Sequence, residues 1–378
     1  MTELQRSPTV QDKLLTILIP VYNGEKYLKN LLQLFADAYA RMPEQFADVD
    51  LVVGNNVSTD GTQAVAESFV STLPILRPLI LTPHLPTAEL NIFRAFRLCR
   101  GIFTWTLGVD DIPVFSSFGG VIDHLRAEQA DMYLFNYAVV SPKMKVTRHC
   151  VFQMNQPSYA VNIVDVTQRF GFWSTVAGIS GQIMRTASVM DYDLPQMYEK
   201  TTKVYVHVGA YLECFKDRRT TLINLPIVFY KSSPNDFVHW RKAAKLMDVC
   251  DEFFWTLGYV RLLVYLEEKS IIDSNYLKYM LETNERNSFR PIFIVVEKFS
   301  NQIMLMTKTD EPRNHLSEDE FAEISGYLAR KEPFLREYLW KLREIFDLVR
   351  SGGLVSDSDW ENLKSLAASL SITSCGRG

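Results

Sequence analysis

From Leu14 to about Tyr137, short apolar runs alternate with longer amphipathic stretches. Leu14–Tyr22 (LLTILIPVY) is a continuous apolar run that ends at a turn, the pattern of a strand buried on both faces. Apolar residues then fall at helical spacing between Tyr27 and Tyr39 (Tyr27, Leu28, Leu31, Leu32, Leu34, Phe35). The pattern continues with a strand over Asp50–Gly54, a helix over Gly61–Ser71, a strand near Pro78–Leu81, a helix over Thr87–Cys99 and a strand over Phe103–Gly108. Helix and strand alternate once more through Phe115–Arg126 and Met132–Tyr137. Repeated strand–helix units of this length predict an α/β fold with a doubly wound, mostly parallel, Rossmann-like sheet.

From Ser141 to about Ser233 the pattern is mixed. Strand-like pieces at Gln182–Arg185 and Pro226–Lys231 surround a helix-like Lys203–Phe215. Beyond Asp236 the chain reads as helices, among them Val238–Leu257, Asn284–Met306 and Ser317–Phe346. At 378 residues the chain can hold a large α/β domain and a second, helical unit.

Composition narrows the function classes. The net charge of -4 argues against a sequence-independent grip on nucleic acid, which needs a basic surface. The five cysteines stand singly, with no two-residue spacing of a zinc knuckle or redox motif, and read as reduced thiols. The N-terminal stretch lacks the apolar core of a secretory signal, and no apolar run reaches the roughly 18 residues of a membrane span. A cytoplasmic protein, at most lying on a membrane surface, is the expectation. GxGxxG, the phosphate-binding P-loop, GxSxG and HExxH are all absent, which leaves dehydrogenase, NTPase, serine hydrolase and zincin readings without support.

In doubly wound sheets ligands bind beyond the carboxyl ends of the strands, so the polar residues there are the candidates for chemistry. After the first strand come Pro20, Val21, Tyr22, Asn23, Gly24 and Glu25; after the second, Asn55 to Thr62 with Ser58 and Asp60. Asn91 and Arg94 lie one helical turn apart before the fourth strand, which ends in Gly108-Val109-Asp110-Asp111. Adjacent carboxylates at a strand end suit a hard divalent cation, and they also suit a simple helix cap.

These residues carry a resemblance. TILIPVYNGEKYL (16–28), NNVSTDGT (55–62) and Asn91 with GIFTWTLGVDD (101–111) are similar, in order and spacing, to the motifs of family 2 glycosyltransferases of the GT-A fold, with the bacterial surface-polysaccharide branch nearest in flavour. The resemblance implies a catalytic, nucleotide-sugar-binding domain over residues 1–235 and a helical C-terminal region over 236–378. It implies inverting transfer of a sugar from a nucleoside diphosphate to a hydroxyl of a saccharide or lipid-linked saccharide. It also implies Mn2+ or Mg2+ on Asp111, with Asp110 at the ribose or a metal-bound water. Pro20, Tyr22, Asn23, Glu25, Asn55, Ser58, Asn91 and Arg94 would contact the donor, with Asn55 where the family usually has a base-reading Asp, and Asp60 would brace the turn. GISGQIMR (178–185) is similar to the family's acceptor-side strand. The acid that follows it in the family is replaced here by Val206-His207, so His207, titrating near its ordinary pKa, is expected as general base. Glu199, Asp193 and Glu213 are its fallbacks. Trp173 is a candidate for stacking on a sugar. Lys231 falls where the family sometimes has a later metal-binding His but cannot serve while charged, so His239 is the candidate to compensate and Lys231 a candidate to face the diphosphate. The aromatic and basic stretch from Phe237 to Trp255 is expected to meet a partner copy or a lipid-linked acceptor, or to pack internally. Two rival readings are a nucleotidyltransferase of similar fold and a binding or scaffold protein that has lost catalysis.

Overall fold

The computed structural model describes residues 12–231 apart from 86, 142, 149, 151, 171–174, 191, 193–196 and 198–205, then 262, 263 and 265–276, residue 322 and much of 336–365. The described residues fall into two compact units, one drawn from Met1–Ala243 and Tyr265–Tyr276, the other from Ala244–Val264 and Leu277–Gly378.

The first unit opens with β1 (Lys13–Val21), α1 (Glu25–Arg41), β2 (Val49–Asn55), α2 (Thr62–Ser68), β3 (Leu76–Ile80), α3 (Ala88–Phe96) and β4 (Gly101–Thr106). These four strands pair in parallel in the order β3-β2-β1-β4, as the alternation of apolar runs predicts. Parallel strands need covered faces, and the sequence supplies both covers. One face of the sheet (Leu15, Ile17 and Ile19 of β1, Leu51 and Val53 of β2, Phe103 and Trp105 of β4) packs on Leu28, Leu31, Leu32 and Phe35 of α1. On the other face α3 packs against the sheet, where a side chain at Gly54 would press on Leu81 and touch Ala95 of α3.

Beyond β4 the chain adds β5 (Ile112–Pro113), α4 (Phe118–Arg126), β6 (Met132–Val140), β7 (Val146–Arg148), β8 (Ser158–Val161), α5 (Ile163–Phe170), β9 (Gln182–Arg185), α6 (Val206–Phe215) and β10 (Thr220–Lys231). The sheet extends as β4-β9-β6-β10-β5, with β9 antiparallel to both β4 and β6 and β10 parallel to β6. The return of β9 against β4 is what brings the Gly-rich stretch beside the Asp110-Asp111 turn.

In the second unit the described helix is α7 (Arg336–Arg350), which buries Leu339, Leu342 and Ile345 and leaves Trp340 exposed. It overlaps the end of the helix expected over Ser317–Phe346 and runs on to Arg350. The helices expected over Val238–Leu257 and Asn284–Met306 lie outside the described residues, as does the stretch from Phe237 to Trp255. Among the described residues no helix is long and apolar enough to cross a membrane.

Near the amino ends of the central strands one charge is held inside the fold. Asp50, 5% exposed, accepts from Arg77 Nε at 2.6 Å and Nη2 at 2.5 Å, while Arg77 Nη2 also donates to the Leu98 carbonyl at 2.9 Å. Removing one partner of a buried pair leaves an uncompensated charge, which costs about 3–5 kcal/mol; Arg77 is partly solvated, so the lower end applies. Arg77→Met is therefore expected to lose about 3 kcal/mol in urea unfolding. Adding Asp50→Asn should restore part of it.

Candidate active site

Three strand ends meet in a hydrogen-bonded rim. Asn23, in the left-handed backbone region that Asn tolerates (φ 50°), donates its N–H to Ser58 Oγ at 2.9 Å, and its Oδ1 accepts from the Thr59 N–H at 2.8 Å. The Glu25 N–H donates to Asp60 Oδ2 at 3.2 Å, and Glu25 Oε2 accepts from the Gly61 N–H at 3.0 Å. Asp60 also accepts from Thr62, so it braces the turn. These reciprocal bonds bind the turn after β1 to the turn after β2. Pro20 stands one step earlier, at the end of β1 opposite Gly54.

Asn55 is only 1% exposed. Its Nδ2 donates to Gln63 Oε1 at 3.0 Å and its Oδ1 accepts from the Ser58 N–H at 2.9 Å, so the amide holds the turn that Ser58 begins. Asn56, also buried, reaches the loop after β3 instead. Its Nδ2 donates to the Leu85 carbonyl at 2.7 Å, and its Oδ1 accepts from the Leu85 N–H at 2.8 Å and from Arg94 Nη2 at 3.0 Å. Arg94 donates further to the Asn91 Oδ1 at 2.8 Å and to the Pro83 carbonyl, while Asn91, buried, donates to the Gly54 carbonyl at 3.1 Å. Arg94 and Asn91 thus clamp the loop after β3 to the end of β2. The clamp carries His84, whose Nδ1–H donates to the Asn56 carbonyl at 2.8 Å and whose ring lies 4.6 Å from that of Tyr22.

The acidic turn lies after β4. Asp111 is 8% exposed, its N–H bonded to the Gly108 carbonyl at 3.1 Å, whereas Asp110 is exposed. A side chain at Gly108 would come within 2.9 Å of Asp111 Oδ2 and 3.3 Å of Asp110 Oδ1. Both carboxylates therefore converge on the space that glycine leaves. Ser180 holds this turn. Its hydroxyl donates to Asp111 Oδ2 at 2.6 Å and accepts from the Gly108 N–H at 2.8 Å, its carbonyl accepts from Trp105 Nε1 at 2.8 Å, and its N–H donates to Tyr230 Oη at 2.9 Å. Burial, and then the charge of Asp111, raises the Tyr230 phenol well above its usual range, so it stays neutral. A side chain at Gly178 would run into the same phenol. Ser180 and Tyr230 were not singled out from the sequence. The signal for Ser180 is its place between two glycines in the turn just before the strand that returns to β4.

His207 lies inside the fold, 6% exposed on α6. Its Nε2–H donates to the Ala177 carbonyl at 3.0 Å, because a carbonyl can only accept, and burial lowers its pKa to about 4. The expectation of an imidazole titrating near its ordinary value is thereby corrected: this one is neutral and committed to the backbone. Of its fallbacks, Glu213 accepts from the Tyr192 and Tyr265 hydroxyls, and Asp193 and Glu199 lie outside the described residues. Trp173 and His239 also lie outside them, and so does the Lys231 side chain, at the end of β10.

A family model described as Glycosyl transferase family 2 matches residues 16–185, a stretch just short of half the chain that runs from β1 through β9 and contains every strand-end cluster described above. No curated protein matches the sequence. Solved structures of TarS from S. aureus share the fold. TarS 1-349 in complex with UDP superposes with a TM-score of 0.51 at 15% identity, covering 95% of this chain and 92% of that one. Its complex with UDP-GlcNAc gives 0.52 at 14% identity, covering 91% and 93%. The fold is thus the GT-A fold, an α/β architecture around a mostly parallel sheet.

Two outcomes follow from the rim and the acidic turn. Ser180→Ala removes a hydrogen bond to a buried carboxylate, an interaction worth about 1.5–3 kcal/mol, and chemical unfolding should show a loss of that order. Val57 sits in the left-handed region (φ 57°), which disfavours a β-branched side chain by about 1–2 kcal/mol. Val57→Asn should therefore raise the unfolding free energy by about 1 kcal/mol.

Proposed function

We propose that the chain is a glycosyltransferase that moves a sugar from a nucleoside diphosphate to a hydroxyl acceptor, with Mn2+ or Mg2+ held by Asp111 and Asp110. The observation that carries this reading is the convergence of two carboxylates on Gly108 at a strand end, inside the stretch matched by the family model. Among the described residues no cage of three His, Cys, Asp or Glu is gathered. The residues still fit the ion, because such cations take one or two protein carboxylates and complete their shell with substrate phosphate and water. A cation bound there would neutralise the diphosphate as it departs.

The protein's own residues do the rest by position. Ser180 fixes Asp111 Oδ2 and would hold the carboxylate in one orientation for a bound cation. The tilted rings of Tyr22 and His84 would form a wall for the nucleoside, held by the Asn56–Arg94 clamp. Asn55, Asn91, Ser58 and Asn23 support this rim from within, and Arg94, spent on the clamp, serves the donor by shaping its loop. UDP and UDP-GlcNAc, present in the TarS structures, are the first donor class to test. Inverting displacement, a saccharide or lipid-linked saccharide acceptor, a role in surface-polysaccharide synthesis at the cytoplasmic face, and assembly or membrane contact through residues 236–378 complete the proposal.

Asp111→Asn is expected to weaken Mn2+-dependent UDP binding by about 100-fold or more while melting near the wild-type temperature. Calorimetry with and without Mn2+ measures this, and unchanged affinity would remove the cation from Asp111. Turnover with sugar nucleotides distinguishes the rivals. Diphosphate release marks transfer, pyrophosphate release marks a nucleotidyltransferase, and tight binding without turnover marks a scaffold.

A further inference from the structure

Behind the acidic turn, on the face of the sheet covered by α3 and α6, a second pair of titratable groups is buried. The Glu89 carboxyl, at the first turn of α3, has its Oε1 3.8 Å from Nδ1 of His207, which has no hydrogen-bond partner of its own. With Nε2–H given to Ala177, Nδ1 carries the lone pair, so the only useful neighbour is a donor. A carboxyl group donates only when protonated, and a shift of about 1 Å would bring the two atoms to bonding distance. Burial favours that form: it pushes Glu89 up to about 7 and His207 down to about 4. Tyr211, the other titratable group facing the pair from α6, is raised by burial as well and stays a neutral phenol.

His207 is also connected to the donor site. Ala177, whose carbonyl it holds, lies three residues before Ser180, which grips Asp111 and Gly108. We propose that Glu89 and His207 form a buried proton-sharing pair that positions Asp111: the protonated acid locks the imidazole in the tautomer that donates to Ala177, and Ala177 fixes the segment carrying Ser180. An ionised Glu89 would instead draw the proton to Nδ1 and turn a lone pair toward the Ala177 carbonyl. Both residues are positioning residues, and the inference rests on Asp111 as the cation ligand.

The opposite shifts of the two groups give them a signature in the pH dependence of stability. Between about pH 4.5 and 6.5 an unfolded chain carries one proton on His207 and none on Glu89, whereas the folded chain carries one on Glu89 and none on His207. The proton count is equal, so the pair adds no slope to wild-type stability in that window. Glu89→Gln leaves a lowered histidine alone; the unfolded chain then binds more protons, and stability should rise relative to wild type from pH 4 to 6.5. His207→Gln leaves a raised acid alone, and relative stability should fall as pH climbs from about 4.5 to 7. Opposed slopes are expected, and parallel slopes in wild type and both variants overturn the pair.

Position is tested on the same proteins. Glu89→Gln keeps a neutral donor and should bind Mn2+ with UDP as wild type does at pH 6. His207→Phe removes the donor to Ala177 and should weaken that binding by about 10–100-fold. It should also speed amide exchange across 177–182 in protein without metal. Wild-type exchange and wild-type affinity in His207→Phe overturn the positioning role. Accelerated exchange in His207→Phe with no Mn2+ binding even in wild type supports the pair's hold on the segment and overturns the cation reading of Asp111 instead.

Discussion

The parallel strands β1, β2 and β4 are covered on both faces, and that constraint governs where chemistry can occur. All seven residues of β2 are buried, and between the strands the backbone groups are consumed by the sheet. A polar side chain in such a strand must bring its own partner, as Asp50 does with Arg77. At the carboxyl ends the backbone leaves the sheet, and side chains can turn toward one another and toward a ligand. Asn23, Ser58, Asn55, Asp60 and Asp111 all sit there, and nearly all of them satisfy a neighbouring turn.

Mutual satisfaction makes the rim rigid without sheet pairing. Asn23 and Glu25 after β1 trade bonds with Ser58, Thr59, Asp60 and Gly61 after β2, while Asn56 and Arg94 fasten the loop after β3. Residues expected to touch a donor directly are therefore bonded first to one another's turns. Arg94 is the clearest case. Its guanidinium meets one carbonyl and two amide oxygens, and burial lowers its pKa with no carboxylate to offset the cost. A planar fork suits that use, because it can satisfy several oxygens in fixed directions.

The antiparallel insertion of β9 between β4 and β6 couples this frame to the later half of the first unit. Ser180 precedes β9 and spans to Gly108 and Asp111, Tyr230 at the end of β10 closes behind it, and His207 on α6 holds Ala177. A hydroxyl bonded both to a carboxylate and to the backbone of the same turn fixes the direction of that carboxylate. Glycine at 108 and 178 is what allows the approach, since a side chain at either position would occupy the space of the Asp111 carboxylate or the Tyr230 phenol.

The alternation of apolar runs and amphipathic stretches determined the order of the first four strands and three helices, because a strand buried on both faces and a helix buried on one leave different periodicities. It also determined where to look for chemistry, since polar residues directly after buried strands have nowhere else to go. The Asp110-Asp111 turn and the Asn55–Thr62 loop were legible for that reason. Which side of each residue is used was decided only by tertiary structure. Asn55 turns inward to Gln63, His207 is desolvated against a carbonyl thirty residues away in sequence, and Ser180 reaches Asp111 across sixty-nine. No local pattern encodes those meetings. They follow from the register of β9 on β4 and from burial, which sets protonation and hydrogen-bond partners together.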